Sequence, residues 1–432
     1  MSVFLPPVPI PGDGSRRGFT AVELMVAITT ALVVCAGAYS LAKTSLEAFQ
    51  QEARMNAAQY NNVMGMNRLV TDIKRAGFQT SPDAATDAQV CVVPGATQSA
   101  LLRAVNVTEG ATGYGVGTGV GALLDYPVLP VEVTGLTNRR APDRIRLSAN
   151  YATAERFKLG AVDLAGDRIS VQVDQLPVQR VFKEFQFAGA PSFCAMFPAG
   201  GLARIVDAAN RSRFIEVAAC ADPVNGAGSN YQTILITAVD IPNGLGCGEA
   251  TDGFINPVNV IDYAPMRLTA ATAAAHGFGP TLTTLMDQDA AIAGIVGDNS
   301  RLALVRRELL ANGAPRPNTA TIAADYVADL NFNGRFAADP LNPNTLTFAD
   351  FNAATKIGNV PDNQVRALGV RLTTRSRYPD RTAAPAAPTE DQALPRFEVF
   401  QAAATNRNRF ARVRTFYNEV TISNLQGIPP WP

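Results

Sequence analysis

Twenty-four consecutive residues, Phe19 to Ala42, read FTAVELMVAITTALVVCAGAYSLA and carry a single charge, Glu23. As a helix rising ~1.5 Å per residue they span roughly 36 Å, enough to cross the hydrocarbon core of a bilayer. Arg16 and Arg17 lie just ahead of the run. The positive-inside rule keeps that end cytoplasmic and sends the rest of the chain outward. An ordinary secretory signal would close with a small-residue cleavage site after its apolar stretch. This run flows instead into an amphipathic helix. A carboxylate within an apolar segment costs a few kcal/mol on insertion scales, so Glu23 calls for a partner or a task.

Residues 1–18, MSVFLPPVPIPGDGSRRG, hold four prolines and three glycines and do not favour a helix. After them no proline occurs from Phe19 to Ser81. From Lys43 onward Leu46, Phe49, Ala53, Tyr60, Val63, Met64, Val70 and Ile73 recur mostly at three, four or seven residues, with Glu47, Gln50, Glu52, Arg54, Asn61, Arg68, Asp72 and Lys74 between them. The spacing predicts one helix over 19–77, transmembrane over 19–42 and amphipathic beyond, closed by Gly77 as a C-cap. Its second half is expected to lay the apolar stripe on a sheet.

From 78 to 432 the periodicity changes. Ile145 and Leu147, Ile169 to Val173, Leu368 to Leu372, and Val420 with Ile422 alternate with small or polar residues, the pattern of strands with one buried face, and Ile234 and Ile236 flank Leu235 in another short run. Gly- and Pro-rich gaps separate them, and Tyr378–Pro395 reads as a long exposed loop. The stretch 185–300 fits this scheme least and is expected to be an inserted subdomain. The fold class is therefore α+β: a long N-terminal helix packed on a large antiparallel β-rich head.

Several functions are excluded by composition. Basic and acidic residues balance at 37 each, with no Lys/Arg run, so no nucleic-acid partner is expected. One histidine, His276, excludes a multi-His metal site and argues against a His-centred catalytic apparatus, and it is expected to be a loop or surface residue. There is no G-x-S-x-G and no P-loop. Gly117–Ala122 fits G-x-G-x-x-A formally but follows no strand, and reads as a flexible loop. No enzymatic activity is expected. Cys91, Cys194, Cys220 and Cys247 form no CxxC pair and are disulfide candidates in an oxidising compartment, with three pairings open. Asp329, Asn331 and Asn333, in D-x-N-x-N-G-x, match the first half of an EF-hand-like calcium loop. Position twelve is Pro340 rather than Glu, which leaves Asp339 or Asp350 to complete a site. The other reading is an Asn/Gly turn between strands. Calcium is the one cofactor considered.

The string Arg16-Arg17-Gly18-Phe19-Thr20-Ala21-Val22-Glu23-Leu24 resembles the prepilin peptidase site of type IV pilins and type II secretion pseudopilins. The resemblance implies cleavage between Gly18 and Phe19, N-methylation of Phe19, and an assembly role for Glu23 in neutralising the new amine of a neighbouring subunit. Residues 1–18 are then the leader peptide. Gln51 to Phe78, ending Leu69-Val70-Thr71-Asp72-Ile73-Lys74-Arg75-Ala76-Gly77-Phe78, resembles the same stretch of PilW-type minor pilins, and J-type pseudopilins look similar. The order of the segments 302–307, 322–330, 365–377 and 416–425 is also similar to PilW-type heads, more diffusely.

What the resemblance implies is a minor pilin that primes assembly of a type IV pilus and sits at its tip, contributing to adhesion and motility. The alternatives are a J-type pseudopilin of a type II secretion system and a surface-adhesion module. The implied partners are the major pilin, other minor pilins, a tip adhesin, the inner-membrane assembly platform and the prepilin peptidase. The implied location is the inner membrane, single pass, with the head periplasmic, and then the pilus.

Overall fold

The computed structural model describes residues 19–85, 87–92, 96–108, 142–163, 168–172, 193–221, 233–239, 253–266, 273–280, 302–339, 342–350, 365–376, 396–399 and 409–425. The chain divides into two compact units, Met1–Asn56 and Ala57–Pro432.

One helix, α1 (Ala21–Arg75), runs for 55 residues through the end of the first unit into the second. Lys74 and Arg75 occupy its last turn, where cations oppose the helix dipole. Gly77 ends it at φ 78°, a conformation that glycine adopts without strain, and its N–H donates to the Ser148 carbonyl at 2.9 Å. The expected C-cap is in place.

In the first unit the described helix is apolar and exposed. It is long and apolar enough to cross a membrane, with a mean hydropathy of 2.1 over its best window. Leu24, Met25, Val33, Val34 and Leu41 all present more than half of their surface.

The second unit is built from two sheets. The strands of the first are β1 (Val90–Val92), β2 (Val105–Thr108), β3 (Arg144–Ala149), β4 (Phe157–Asp163), β5 (Arg168–Gln172), β6 (Leu202–Val206), β7 (Ser212–Ala221), β8 (Thr233–Val239), β9 (Phe254–Met266), β10 (Ala303–Leu309) and β11 (Thr321–Ala324). Their order is β1-β7-β8-β5-β4-β9-β10-β11, with β2 on β3, β3 on β9, and β6 between β7 and β9. A short helix, α2 (Ala96–Leu101), precedes β2. The second sheet has β12 (Val327–Asp339), β13 (Asn342–Asp350), β14 (Val365–Arg375), β15 (Arg396–Val399) and β16 (Arg409–Thr421), in the order β13-β12-β14-β16-β15. Every pairing is antiparallel except β1 with β7. The α+β expectation therefore holds at the level of an N-terminal helix and antiparallel-rich sheets.

The described strands of the stretch 185–300 belong to the first sheet. That stretch supplies β6, β7, β8 and β9 to the same sheet as β3, β4, β5 and β10. Two prolines obscured β9, because proline cannot donate to a ladder. Pro257 faces Ala203 of β6 and lies between the β4 and β3 pairings; Pro265 faces Leu304 of β10, beyond the end of β3. At each, one edge of β9 has no strand among the described residues, so a missing N–H is tolerated there.

The main core joins both sheets around the helix. Met66, Leu69, Val70, Ile73 and Ala76 pack against Val105, Ile145, Leu147, Ile261, Tyr263 and Leu304 of the first sheet and against Leu330, Phe332, Leu368, Val370, Leu372 and Val420 of the second. The predicted stripe holds at Val70 and Ile73 and departs from the observed face before them. Tyr60, Val63 and Met64 are exposed, whereas Ala58, Asn62, Gly65, Met66, Leu69, Ile73 and Ala76 face inward. Asn62 is the inward polar exception, with its amide donating to the carbonyls of Leu372 at 3.1 Å and Arg414 at 2.8 Å. Thr374 Oγ1 donates to the Ala58 carbonyl at 2.9 Å. A second core holds Phe157, Phe193, Phe197, Ile205 and Ile215, with the Cys194–Cys220 disulfide packed against it.

Gly65 sets how closely the helix approaches. A Cβ there would stand 2.7 Å from Ala324 Cβ and 3.1 Å from the Ala323 carbonyl, whereas one at Gly37 would meet nothing within 4 Å. Gly65→Val is expected to destabilise the full chain by about 1–3 kcal/mol through overpacking. Thermal unfolding in detergent, with Gly37→Ala as the silent control, checks this.

Candidate functional site

The start of α1 has a local hydrogen-bond box. The Thr20 N–H and Oγ1 each donate to Glu23 Oε2 at 3.0 Å, and the Glu23 N–H donates back to Thr20 Oγ1 at 3.2 Å. This is a capping box, in which an N-cap hydroxyl and the carboxylate three residues on satisfy two otherwise orphaned amides. It gives Glu23 a local task that the sequence reading assigned only between subunits. The signal was present as Thr20-x-x-Glu23 ahead of an apolar run. Phe19 is 84% exposed just before the box, and Gly18 lies outside the described residues.

At the other end of α1, a buried polar latch joins the helix to the first sheet. Asp72 Oδ2 accepts from the Tyr263 hydroxyl and from Arg306 Nε, both at 2.7 Å. The Asp72 carbonyl accepts from the Tyr151 hydroxyl at 2.8 Å. Arg75 covers the Tyr151 ring, 5.5 Å from its centroid, in cation–π contact. Burial, then the Asp72 charge and hydrogen bond, push the Tyr263 hydroxyl far above the usual phenol range. Burial and then Asp72 act the same way on Tyr151. Burial would weaken the Arg306 cation, but Asp72 outweighs it and the net shift is upward. Both phenols thus remain protonated donors. Asp72 stood among the polar residues of the helix pattern, and nothing in the chain marks Tyr263 or Arg306, more than 190 residues away, as its partners.

A second buried cluster sits elsewhere on that sheet. Asp262, fully buried in β9, faces Arg146 of β3 and Arg307 of β10 in register. Arg144 Nη2 donates to Oδ2 at 2.8 Å while its Nε donates to Oδ1, and Arg307 Nε donates to Oδ2 at 2.9 Å. Burial would push the Asp262 carboxyl up, but the arginines outweigh it and hold it below the usual range. Arg307 Nη1 also lies 3.2 Å from Nδ1 of His276. His276 is 7% exposed, so the expected surface residue is instead a buried one.

The D-x-N-x-N-G-x segment is neither a loop nor a turn. Asp329 to Arg335 lie inside β12 and pair residue by residue with Thr373 to Ala367 of β14. In an extended strand Asp329, Asn331 and Asn333 stand on one face, about 6.5 Å apart from one to the next, and do not converge on a point as EF-hand ligands do. Asp329 is buried beside Arg371, 3.3 Å away. Among the described residues no group of three or more His, Cys, Asp or Glu is arranged to hold a metal ion.

Of the cysteine candidates, Cys194 and Cys220 are bonded to each other and Cys91 is disulfide-bonded as well. Cys247 lies outside the described residues. Comparison with protein-family models, curated proteins and solved structures finds no match to this chain.

Truncating Asp72 leaves Arg306 buried without its carboxylate. Asp72→Ala is expected to cost about 3–5 kcal/mol, as for other broken buried pairs. Denaturant unfolding of the full chain, with the exposed Glu47→Ala as control, reads the difference. The tyrosines add an alkaline signature. A hydroxyl whose folded-state pKa is raised contributes stability below its unfolded value of about 10 and loses that contribution as pH rises above it. Tyr263→Phe is expected to flatten the alkaline fall in melting temperature.

Proposed function

We propose that this chain is a prepilin, processed between Gly18 and Phe19, that acts as a minor pilin of the PilW type in priming and tipping a type IV pilus. The observation that carries the proposal is the coincidence of three features on one helix. Arg16-Arg17-Gly18-Phe19 directly precedes an apolar exposed segment. Glu23 stands at the fifth residue after the cleavage point. The same helix, without a break, is buried through its last turns between two sheets.

The physical logic is that of an extractable anchor. In the membrane the apolar segment is solvated by lipid. In a filament the equivalent segments of neighbouring subunits replace that lipid. Cleavage leaves Phe19 with an α-amine in an apolar setting, and a neighbouring carboxylate at Glu23 neutralises it. Two charges that are each costly alone then fix the axial register of packed helices. The head faces the periplasm and makes lateral contacts with the major pilin, sibling minor pilins and a tip adhesin. The prepilin peptidase and the inner-membrane assembly platform act on the N-terminal segment.

Intact mass of the protein extracted from membranes, with and without a prepilin peptidase, tests the reading. Loss of residues 1–18 and gain of one methyl only when the peptidase is present is the expected outcome. An unprocessed chain, or cleavage after Ala42, would overturn it. Glu23→Gln is expected to be cleaved normally but to fail to enter sheared filaments, as read by immunoblot of the filament fraction.

A further inference from the structure

The Asp262 cluster holds more positive charge than its carboxylate can use. Both Asp262 oxygens already accept, one from Arg144 and the other from Arg144 and Arg307. Arg146 approaches no closer than 3.7 Å, and its Nε is buried without a hydrogen-bond partner. Among the described residues one carboxylate thus stands among three guanidinium groups, an excess of two positive charges at one place on the sheet. Partly buried cations without counter-charge are costly, so such an excess invites an anion. Arg146 is the member open to the outside, with its side chain 23% exposed, against 9% for Arg144 and 6% for Arg307. Its other flank is β2, paired on one side only among the described residues, where Asn106 stands opposite it in register.

We propose that Arg146, backed by Arg144 and Arg307, is a binding site for a small oxyanion. The fork of an arginine matches two oxygens of a phosphate or carboxylate in a plane, which a spherical ion cannot use as well. Asp262 acts as the positioning residue. It locks Arg144 and Arg307 behind the site and leaves the third fork unoccupied. The cation at Arg146 is itself held below its ordinary range by burial first and then by Arg144 and Arg307, which overcome the opposing pull of Asp262. An arriving oxyanion would offset the repulsion that Arg144 and Arg307 exert on this cation.

The test uses the full chain in detergent and inorganic phosphate as the probe, titrated at constant ionic strength while thermal unfolding is followed. Wild type is expected to melt progressively higher with phosphate and to saturate. Arg146→Met, which keeps the apolar stem, is expected to show no rise and, without phosphate, to melt no lower than wild type. Arg144→Met, which strips Asp262 of a bidentate partner, is expected to melt lower throughout and shows that a structural loss in this cluster is detectable. Acetate in a parallel titration separates the sources. An equal shift assigns the site to carboxylates and phosphates alike, and a shift with phosphate alone assigns it to tetrahedral oxyanions. A phosphate response that is the same in wild type and Arg146→Met would overturn the proposal. So would a phosphate-free melting temperature for Arg146→Met as low as that of Arg144→Met, because Arg146 would then be structural.

Discussion

Asp72 lies on a helix face that also presents Leu69, Ile73 and Ala76 to the core, and a buried carboxylate in that position needs hydrogen-bond partners that cannot drift away. Tyr263 and Arg306 are such partners, because each sits on a central strand of the first sheet with neighbours on both sides. The pairing has a directional consequence that apolar packing lacks. Apolar side chains tolerate a slide of the helix by a fraction of a turn. A carboxylate 2.7 Å from two donors does not. The latch therefore fixes the register of the last helical turns on the first sheet. Asn62, three turns earlier, does the same on the second sheet through the Leu372 and Arg414 carbonyls. Gly65 lies between these polar pins, and the absence of a side chain there lets the helix backbone come close enough for both to reach.

That arrangement explains which parts of the chain were legible. The helix and its glycine C-cap follow from local rules, apolar spacing and the absence of proline, and they were read correctly. The alternating strands around Ile145, Val171, Val370 and Val420 also follow from local pattern. The helix face was misjudged because counting apolar residues assumes that a buried face is apolar. Here the buried face includes Asn62, Gly65 and Asp72, whose partners lie on strands hundreds of residues away, while Tyr60, Val63 and Met64 point outward. Proline hid β9 for a similar reason. A proline argues against a central strand only when both edges are paired at that residue, and pairing is not visible in one sequence. The D-x-N-x-N-G-x segment misled in the opposite sense. Ligands at every second residue suit a curled calcium loop, but the same spacing puts side chains on one face of a strand, and Arg371, opposite Asn331 and 3.3 Å from Asp329, favours the strand.

The N-terminal site was legible as a motif and not as a mechanism. The first amides of a helix have no intrahelical acceptor, and within hydrocarbon no water replaces one. The Thr20–Glu23 box answers part of that need from within the chain. A glutamate in the apolar run is therefore expected on local grounds alone, before any neighbour is considered. This changes what its substitution means. Glu23→Ala removes both a cap and a charge, so a failure to assemble would not by itself separate the two roles. Glu23→Gln retains an acceptor oxygen for Thr20 while removing the charge, so its deficit against the unsubstituted chain isolates the electrostatic part, and the difference between the two variants isolates the cap.

The two roles do not compete for the same atom. Both Thr20 donors converge on Oε2 of Glu23, and among the described residues no hydrogen bond engages Oε1. A carboxylate has roughly four lone-pair positions across its two oxygens, so capping leaves one whole oxygen to accept from a cation. The box also restricts the rotamers of Glu23 before any partner arrives. Less side-chain entropy remains to be lost when an amine docks, which favours association. A helix that caps itself with one carboxylate oxygen can thus present the other, already oriented, to a cation, which under the function we propose is the α-amine of a second subunit.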